Sequence, residues 1–210
     1  MSIWIERIFM GFDLYHNIAA ASLITGVFAM LLRRNLNLVR FAWGQLFTLY
    51  MCCVAALVFL PLPTLENAAE LNYRIQPVPF YFIYDMIRHP SMSCLFCVVF
   101  NIVMTIPFGM FLRHLFGLNQ KQILLASLAL TVFIEIAQLT GLFFLFQGSY
   151  RLCDMDDIIT NTLGGWVGFL LMTKLEVLLP SIESFDLPFS SAPATLSTTW
   201  FPYLHIRRSH

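Results

Sequence analysis

The chain has 210 residues, of which 59% are hydrophobic, 21 are Phe and only 11% carry charge, with a mean hydropathy of +0.75. That is far more apolar surface than a water-soluble domain needs, so the composition marks an integral membrane protein of the all-α helical-bundle class. Twelve basic residues balance twelve acidic ones without a basic block or an aromatic nucleic-acid motif, which argues against nucleic acid as a partner, and an odd set of five cysteines rules out a complete disulfide framework.

A helix crossing about 30 Å of hydrocarbon needs roughly 20 residues. Five stretches meet that demand, near 13–32, 41–61, 94–112, 123–144 and 157–179, predicting a multi-pass protein of the cell membrane. The first lacks a short apolar core followed by a cleavage site, and its lead MSIWIERIFMGFD is low in positive charge, so it reads as a retained span. Arg33, Arg34 and Arg40 separate spans one and two, and Arg113 and Lys121 separate three and four. Basic residues in short connections favour the cytoplasmic side, which predicts an outer N-terminus and an inner C-terminus.

Between spans two and three, residues 62–93 are too polar to cross. Tyr73, Phe80, Tyr81, Phe82 and Tyr84 give the second half of this segment an aromatic character suited to the outer interface. Cys94 and Cys97 open span three as a CxxC without ligand-type histidines beside it, a weak metal or redox signal. Pro107 and Gly109 follow in the same span, where a proline removes one backbone donor and predicts a kink.

The most informative stretch is RLCDMDDIITNTLGGWVG at 151–168, which drives charge, amide and glycine into an apolar segment. Charged groups cost about 2.5–3.5 kcal/mol each at a bilayer centre, less toward the interface, so crowding Arg151, Asp154, Asp156 and Asp157 at one helix mouth calls for mutual pairing or a ligand. Asp154 also fits an N-cap with acidic first-turn residues behind it. Helical spacing puts Asp154, Asp157 and Asn161 on one face with Gly164, Gly165 and Gly168, small residues that let another backbone approach. Glu135 and Gln138 share a face of span four, and the predicted topology brings Asn101, Glu135 and Asn161 to one depth near the outer surface. Asn101 and Asn161 each have an ordinary reading as interhelical hydrogen-bonding groups, whereas a membrane carboxyl such as Glu135 needs a partner or a proton. Beyond Leu179 the sequence turns rich in Pro, Ser and Thr, predicting a mobile cytoplasmic tail over 180–210 after a transmembrane domain of residues 1–179.

Four pieces of this chain, in order, resemble the signatures of VanZ-like membrane proteins: RIQPVPF at 74–80, NIVMTIPFGMFL at 101–112, EIAQL at 135–139 and RLCDMDDIITNTLGGWVGFLL at 151–171. The resemblance runs from Arg74 to Leu171 and carries over Asn101, Pro107, Gly109, Glu135, Gln138, Arg151, Asp154, Asp157, Asn161, Gly165 and Gly168. Cys153 stands where a bulkier apolar residue is usual. The family name comes from a component associated with resistance to teicoplanin, a glycopeptide with a lipid tail, so the resemblance implies a role rather than a reaction.

The resulting expectation is a non-catalytic membrane protein, without cofactor or metal, whose outward site binds a lipid head group, a lipid-linked envelope precursor or a lipid-tailed glycopeptide. Arg74 and Arg151 would supply bidentate donors to phosphate or carboxylate, with Glu135 and Asp157 holding them. The alternative is a membrane enzyme acting on a lipid-linked envelope substrate, with Glu135 as acid or base and Asp154, Asp156 and Asp157 collecting a divalent cation, although no nucleophile is evident. A small transporter ranks third, for lack of an inverted repeat.

Overall fold

The computed structural model describes residues 3–33, 35–60, 62, 74–90, 92–146, 148–149 and 151–188. Five long helices make the bundle: α1 (Ile3–Arg33), α2 (Leu38–Phe59), α4 (Met92–Phe116), α5 (Gln120–Leu139) and α6 (Met155–Leu175), with the short α3 (Tyr81–Arg88) between α2 and α4. Local chemistry sets several starts. Asn37 caps α2 by accepting from the Arg40 amide, Asn119 and Gln122 close a reciprocal capping box on α5, and the Asp154 carboxylate accepts from the Asp156 amide to start α6. Asp156 and Asp157 then fall in the first turn of α6, at the positive end of its dipole.

Among the described residues, four helices are long and apolar enough to cross a membrane: α1, α2, α4 and α5. The expected fifth span, α6, is also 21 residues long, about 31 Å at helical rise, but two aspartates in its first turn and Lys174 in its last set it apart in composition. It buries Asp156, Thr160, Asn161, Gly164, Gly165 and Gly168. The expected fourth span ends early. Rather than running to 144, α5 stops at Leu139, and Gly141, Leu142, Phe143 and Phe144 all have positive φ, one turn of left-handed backbone. The Thr140 hydroxyl oxygen accepts from the Phe143 amide and its carbonyl from Phe144, while Phe146 donates to the Gly141 carbonyl. Glycine tolerates that conformation, and these bonds offset its cost for the three residues that follow.

α4 and α6 meet backbone to backbone. A Cβ at Gly109 would fall on the Gly165 carbonyl oxygen, one at Gly164 on Thr105 Oγ1 and the Ile102 carbonyl, one at Gly168 on the Ile106 carbonyl, and one at Gly165 on Ser127 of α5. Small residues therefore set the spacing of three helices. α4 continues through Pro107, and the Tyr50 hydroxyl donates to the Met104 carbonyl at 2.8 Å, tying α2 to α4 just before the proline. Apolar packing fills the rest: Phe108, Leu112 and Ile123 form one cluster with Phe47 and Tyr50 against it, and Val54, Val58 and Ile134 form another.

α1 packs chiefly on α2. A polar network joins them, with Tyr15 and Ser22 hydroxyls donating to Gln45 Oε1 at 3.0 and 2.6 Å and Gln45 Nε2 donating to the Ser22 carbonyl. The connection after α1, the α4–α5 turn and the end of α6 share one end of the molecule. There β1 (Asn35–Leu36) pairs antiparallel with β4 (Leu187–Pro188), Arg40 bridges Glu183, and Arg113 donates two N–H groups to Glu176. Residues 180–188, the start of the expected mobile tail, are thus folded back. The Asn37 side chain donates to the Ile182 carbonyl and Asp186, and a 3-10 helix covers Ile182–Phe185. Residues 189–210, like Tyr73, lie outside the described residues.

Two outcomes test this architecture. Gly109→Ala and Gly168→Ala should each destabilise the detergent-solubilised protein by about 1–3 kcal/mol through overpacking, whereas Gly44→Ala, which meets nothing within 4 Å, should leave the thermal midpoint unchanged. For sidedness, single cysteines in place of the exposed Arg88 and Gln120 in a cysteine-free background should react oppositely with an impermeant reagent in intact cells, Arg88→Cys labelled and Gln120→Cys protected. The reverse pattern would turn the molecule over in the membrane.

Candidate functional site

The end of the bundle opposite the basic loops is organised by two short parallel strands, β2 (Ile75–Gln76) and β3 (Cys153–Asp154). Successive backbone amides of an extended strand point to opposite sides, and β3 uses both. The Cys153 amide donates to the Arg74 carbonyl at 3.0 Å, tying in the 74–80 segment, while the Asp154 amide donates to Glu135 Oε2 at 3.0 Å, tying in α5. Glu135 is 3% exposed, four residues from the end of α5, about 6 Å by helical rise. The Cys153 side chain lies beside this carboxylate. Burial, and then the neighbouring Glu135 charge, push that thiol up to about 11, so it stays protonated at neutral pH.

Asp156 has a different task. Its two carboxylate oxygens accept from the Phe80 and Phe82 amides at 2.5 and 2.8 Å, one before and one at the start of α3, which fastens this helix to α6. Phe80 has φ +61° and supplies no side-chain cap, so Asp156 serves the N-terminus of α3 from a distance in sequence. Asp154 caps α6 and takes a 3.3 Å bond from Gln76, and burial raises its carboxyl above the usual range. Asp154, Asp156 and Asp157 therefore do not converge on one point, and among the described residues no cluster of three acidic, cysteine or histidine side chains is arranged to hold a metal ion. This corrects the divalent-cation arrangement that the enzyme reading requires: two of the three carboxylates are turned onto backbone amides.

Asp157 points the other way. Asn101 donates to its Oδ1 at 2.5 Å and stands 3.5 Å from Thr160 Oγ1, closing the top of the α4–α6 contact. Below lies a cavity of about 170 Å³ lined by Asn101, Glu135, Gln138, Arg151, Asp157 and Asn161, with an apolar remainder of Leu57, Val58, Cys97, Phe100, Met104 and Ile134. Gln138 anchors its wall by donating to the Val58 carbonyl at 3.1 Å. Arg151 donates to the Leu57 and Leu60 carbonyls at 3.4 Å, capping the open end of α2. Asn161 is 4% exposed and its Oδ1 has no hydrogen-bond partner. A second cavity of about 180 Å³ adjoins the first across Cys97 and Asp157, under α3, and includes Cys94, Asp154 and Asp156 in its lining.

Six of the eight candidate side chains thus face one cavity. Asp154 lies on the adjoining one, and Arg74 on neither: its side chain is exposed and its backbone carbonyl makes the strand contact. The two-arginine clamp expected for phosphate is not formed, because Arg74 stays at the rim and Arg151 is engaged on the end of α2. Pro107, Gly109, Gly165 and Gly168 are in the packing beneath, as their residue types imply. Sequence reasoning missed Asp156 as the anchor of α3 and the backbone amides of Cys153 and Asp154 as the ties to Arg74 and Glu135. Only an alternation rule applied to β3 could have suggested the latter.

The model of the VanZ/LLP1 family matches residues 47–178. The chain belongs to this family. The match extends beyond the 74–171 resemblance to take in most of α2 and the end of α6, and it leaves α1 outside. No curated protein and no solved structure matches the chain.

The Asp156 anchor gives a direct test. Asp156→Ala should speed amide exchange at Phe80 and Phe82 at least tenfold, in keeping with about 1–3 kcal/mol for an unsatisfied buried group, and leave exchange in α2 unchanged. Unchanged protection at Phe80 and Phe82 would show that α3 is held by other contacts.

Proposed function

We propose that this VanZ/LLP1 member is a multi-pass protein of the cell membrane that binds, without chemical turnover, the polar head of a membrane-anchored amphiphile, and through it alters sensitivity to lipid-tailed glycopeptides. The observation that carries this reading is the convergence of Asn101, Glu135, Gln138, Arg151, Asp157 and Asn161 on one cavity, with a buried acceptor on Asn161 left unsatisfied. A buried amide oxygen without a partner costs about 1–3 kcal/mol, a cost that a bound group removes.

The size of the cavity limits what enters. About 170 Å³ is less than the 300–1,000 Å³ of ordinary small-molecule sites, so a head-group moiety fits and a whole glycopeptide does not. The apolar lining and the exposed Tyr81, Ile83, Tyr84 and Ile87 of α3 suit a ligand whose tail stays in the lipid. An enzyme acting on a lipid-linked precursor is less well supported. Cys153 is held as a neutral thiol, and no other nucleophile with a positioned base stands among the residues described above.

Expression of the protein should lower susceptibility to a lipid-tailed glycopeptide severalfold more than to an untailed one. Asn161→Leu and Glu135→Gln should abolish the difference at matched membrane abundance. Equal shifts for both drugs, or full effect in both variants, would remove the glycopeptide part of this proposal.

A further inference from the structure

The polar lining of the cavity is unbalanced in two ways. Two carboxyls, Glu135 and Asp157, face it against one guanidinium, Arg151, and the neighbouring Asp154 and Asp156 add charge of the same sign outside. The acceptors that face it are also incompletely used. Arg151 and Gln138 spend N–H groups on α2 carbonyls, and Asn101 spends one on Asp157, whereas Asn161 Oδ1 accepts nothing. Glu135 receives the Asp154 amide on Oε2 and Asp157 receives Asn101 on Oδ1, so each carboxylate has further lone pairs to offer.

Resting on the head-group reading above, we infer that the group taken into this cavity is a primary ammonium, donating to Asn161 Oδ1 and to the carboxylates of Glu135 and Asp157. An ammonium has three N–H donors and no acceptor, which matches acceptors presented by Glu135 on α5 and by Asp157 and Asn161 on successive turns of α6. It also offers a positive charge beside two carboxyls. A phosphate would face two carboxylates at close range. A trimethylammonium has no donor for Asn161, and among the described residues Phe100 is the one aromatic ring in the lining, too few for an aromatic cage. The amine has two sources on a membrane surface: the ethanolamine head of an aminophospholipid, or an amino group on a lipid-tailed glycopeptide.

The test is binding by the full chain in nanodiscs of phosphatidylcholine doped with phosphatidylethanolamine, its N-acetylated form or phosphatidylglycerol, read as lipid retained by native mass spectrometry. A lipid-tailed glycopeptide and its N-acetylated form are run in parallel. Retention of phosphatidylethanolamine or of the free-amine drug at least tenfold above its N-acetylated form supports the inference, and the one retained identifies the source. Asn161→Leu should remove the preference and Asn161→Asp, which keeps an oxygen acceptor, should retain it. Preference for phosphatidylglycerol would overturn the ammonium assignment while leaving a head-group site. Equal retention of all lipids and drugs, unaffected by Asn161→Leu, would overturn both.

Discussion

The contact between α4 and α6 governs the rest of the structure. Gly109 lies on the Gly165 carbonyl, Gly164 on Ile102 and Gly168 on Ile106, so two backbones approach to a distance that no side chain would permit. That spacing delivers Asn101 to Asp157 and Thr160 at the polar end. Ser127 of α5 fits over Gly165, which fixes the third helix and with it the height of Glu135 and Gln138. In lipid, helices gain little from burying apolar surface against one another, so close backbone packing and buried polar bonds have to supply much of the association. Here the two are coupled: the glycines make the approach, and the approach makes the polar bonds short.

Most polar groups at that end carry a structural task. Asp154 and Asp156 hold the starts of α6 and α3, Arg151 covers the carbonyls that end α2, Gln138 holds Val58, and Glu135 receives the amide of Asp154. Each would cost several kcal/mol at this depth if left unpaired, and each is paired to backbone that the helices leave open. The cavity is what remains after these obligations are met. Its character follows from the acceptors that Asn161, Glu135 and Asp157 still hold once these bonds are made.

α1 stands apart from the other long helices. It lies outside the region matched by the family, and its hold on α2 runs through Gln45, Tyr15 and Ser22, with Gly11 and Gly26 seated against Cys53 and Phe41. The polar cavity draws no residue from it. Interhelical amide and hydroxyl bonds in membranes are worth about 0.6 kcal/mol each on average, so this network orients α1 more than it anchors it.

From the sequence alone, composition established the membrane class, the lengths of the apolar runs located all five long helices to within a few residues except at two ends, and the signature pieces pointed to the family. Residue type also marked the glycine face of α6 and the N-cap at Asp154, because both depend on neighbours within one or two turns. The end of α5 was misjudged, since an apolar run through 144 conceals a left-handed turn that Gly141 and Thr140 bring about. Only the tertiary structure decided the partners of the charges. Arg74 and Arg151 look alike in sequence, yet one stays exposed beside β2 and the other caps α2, and Asp156 turns to α3 while Asp157 turns to Asn101. Such choices depend on which carbonyl or amide lies open within reach across tens of residues of chain, and sequence spacing on a single helix carries no information about it.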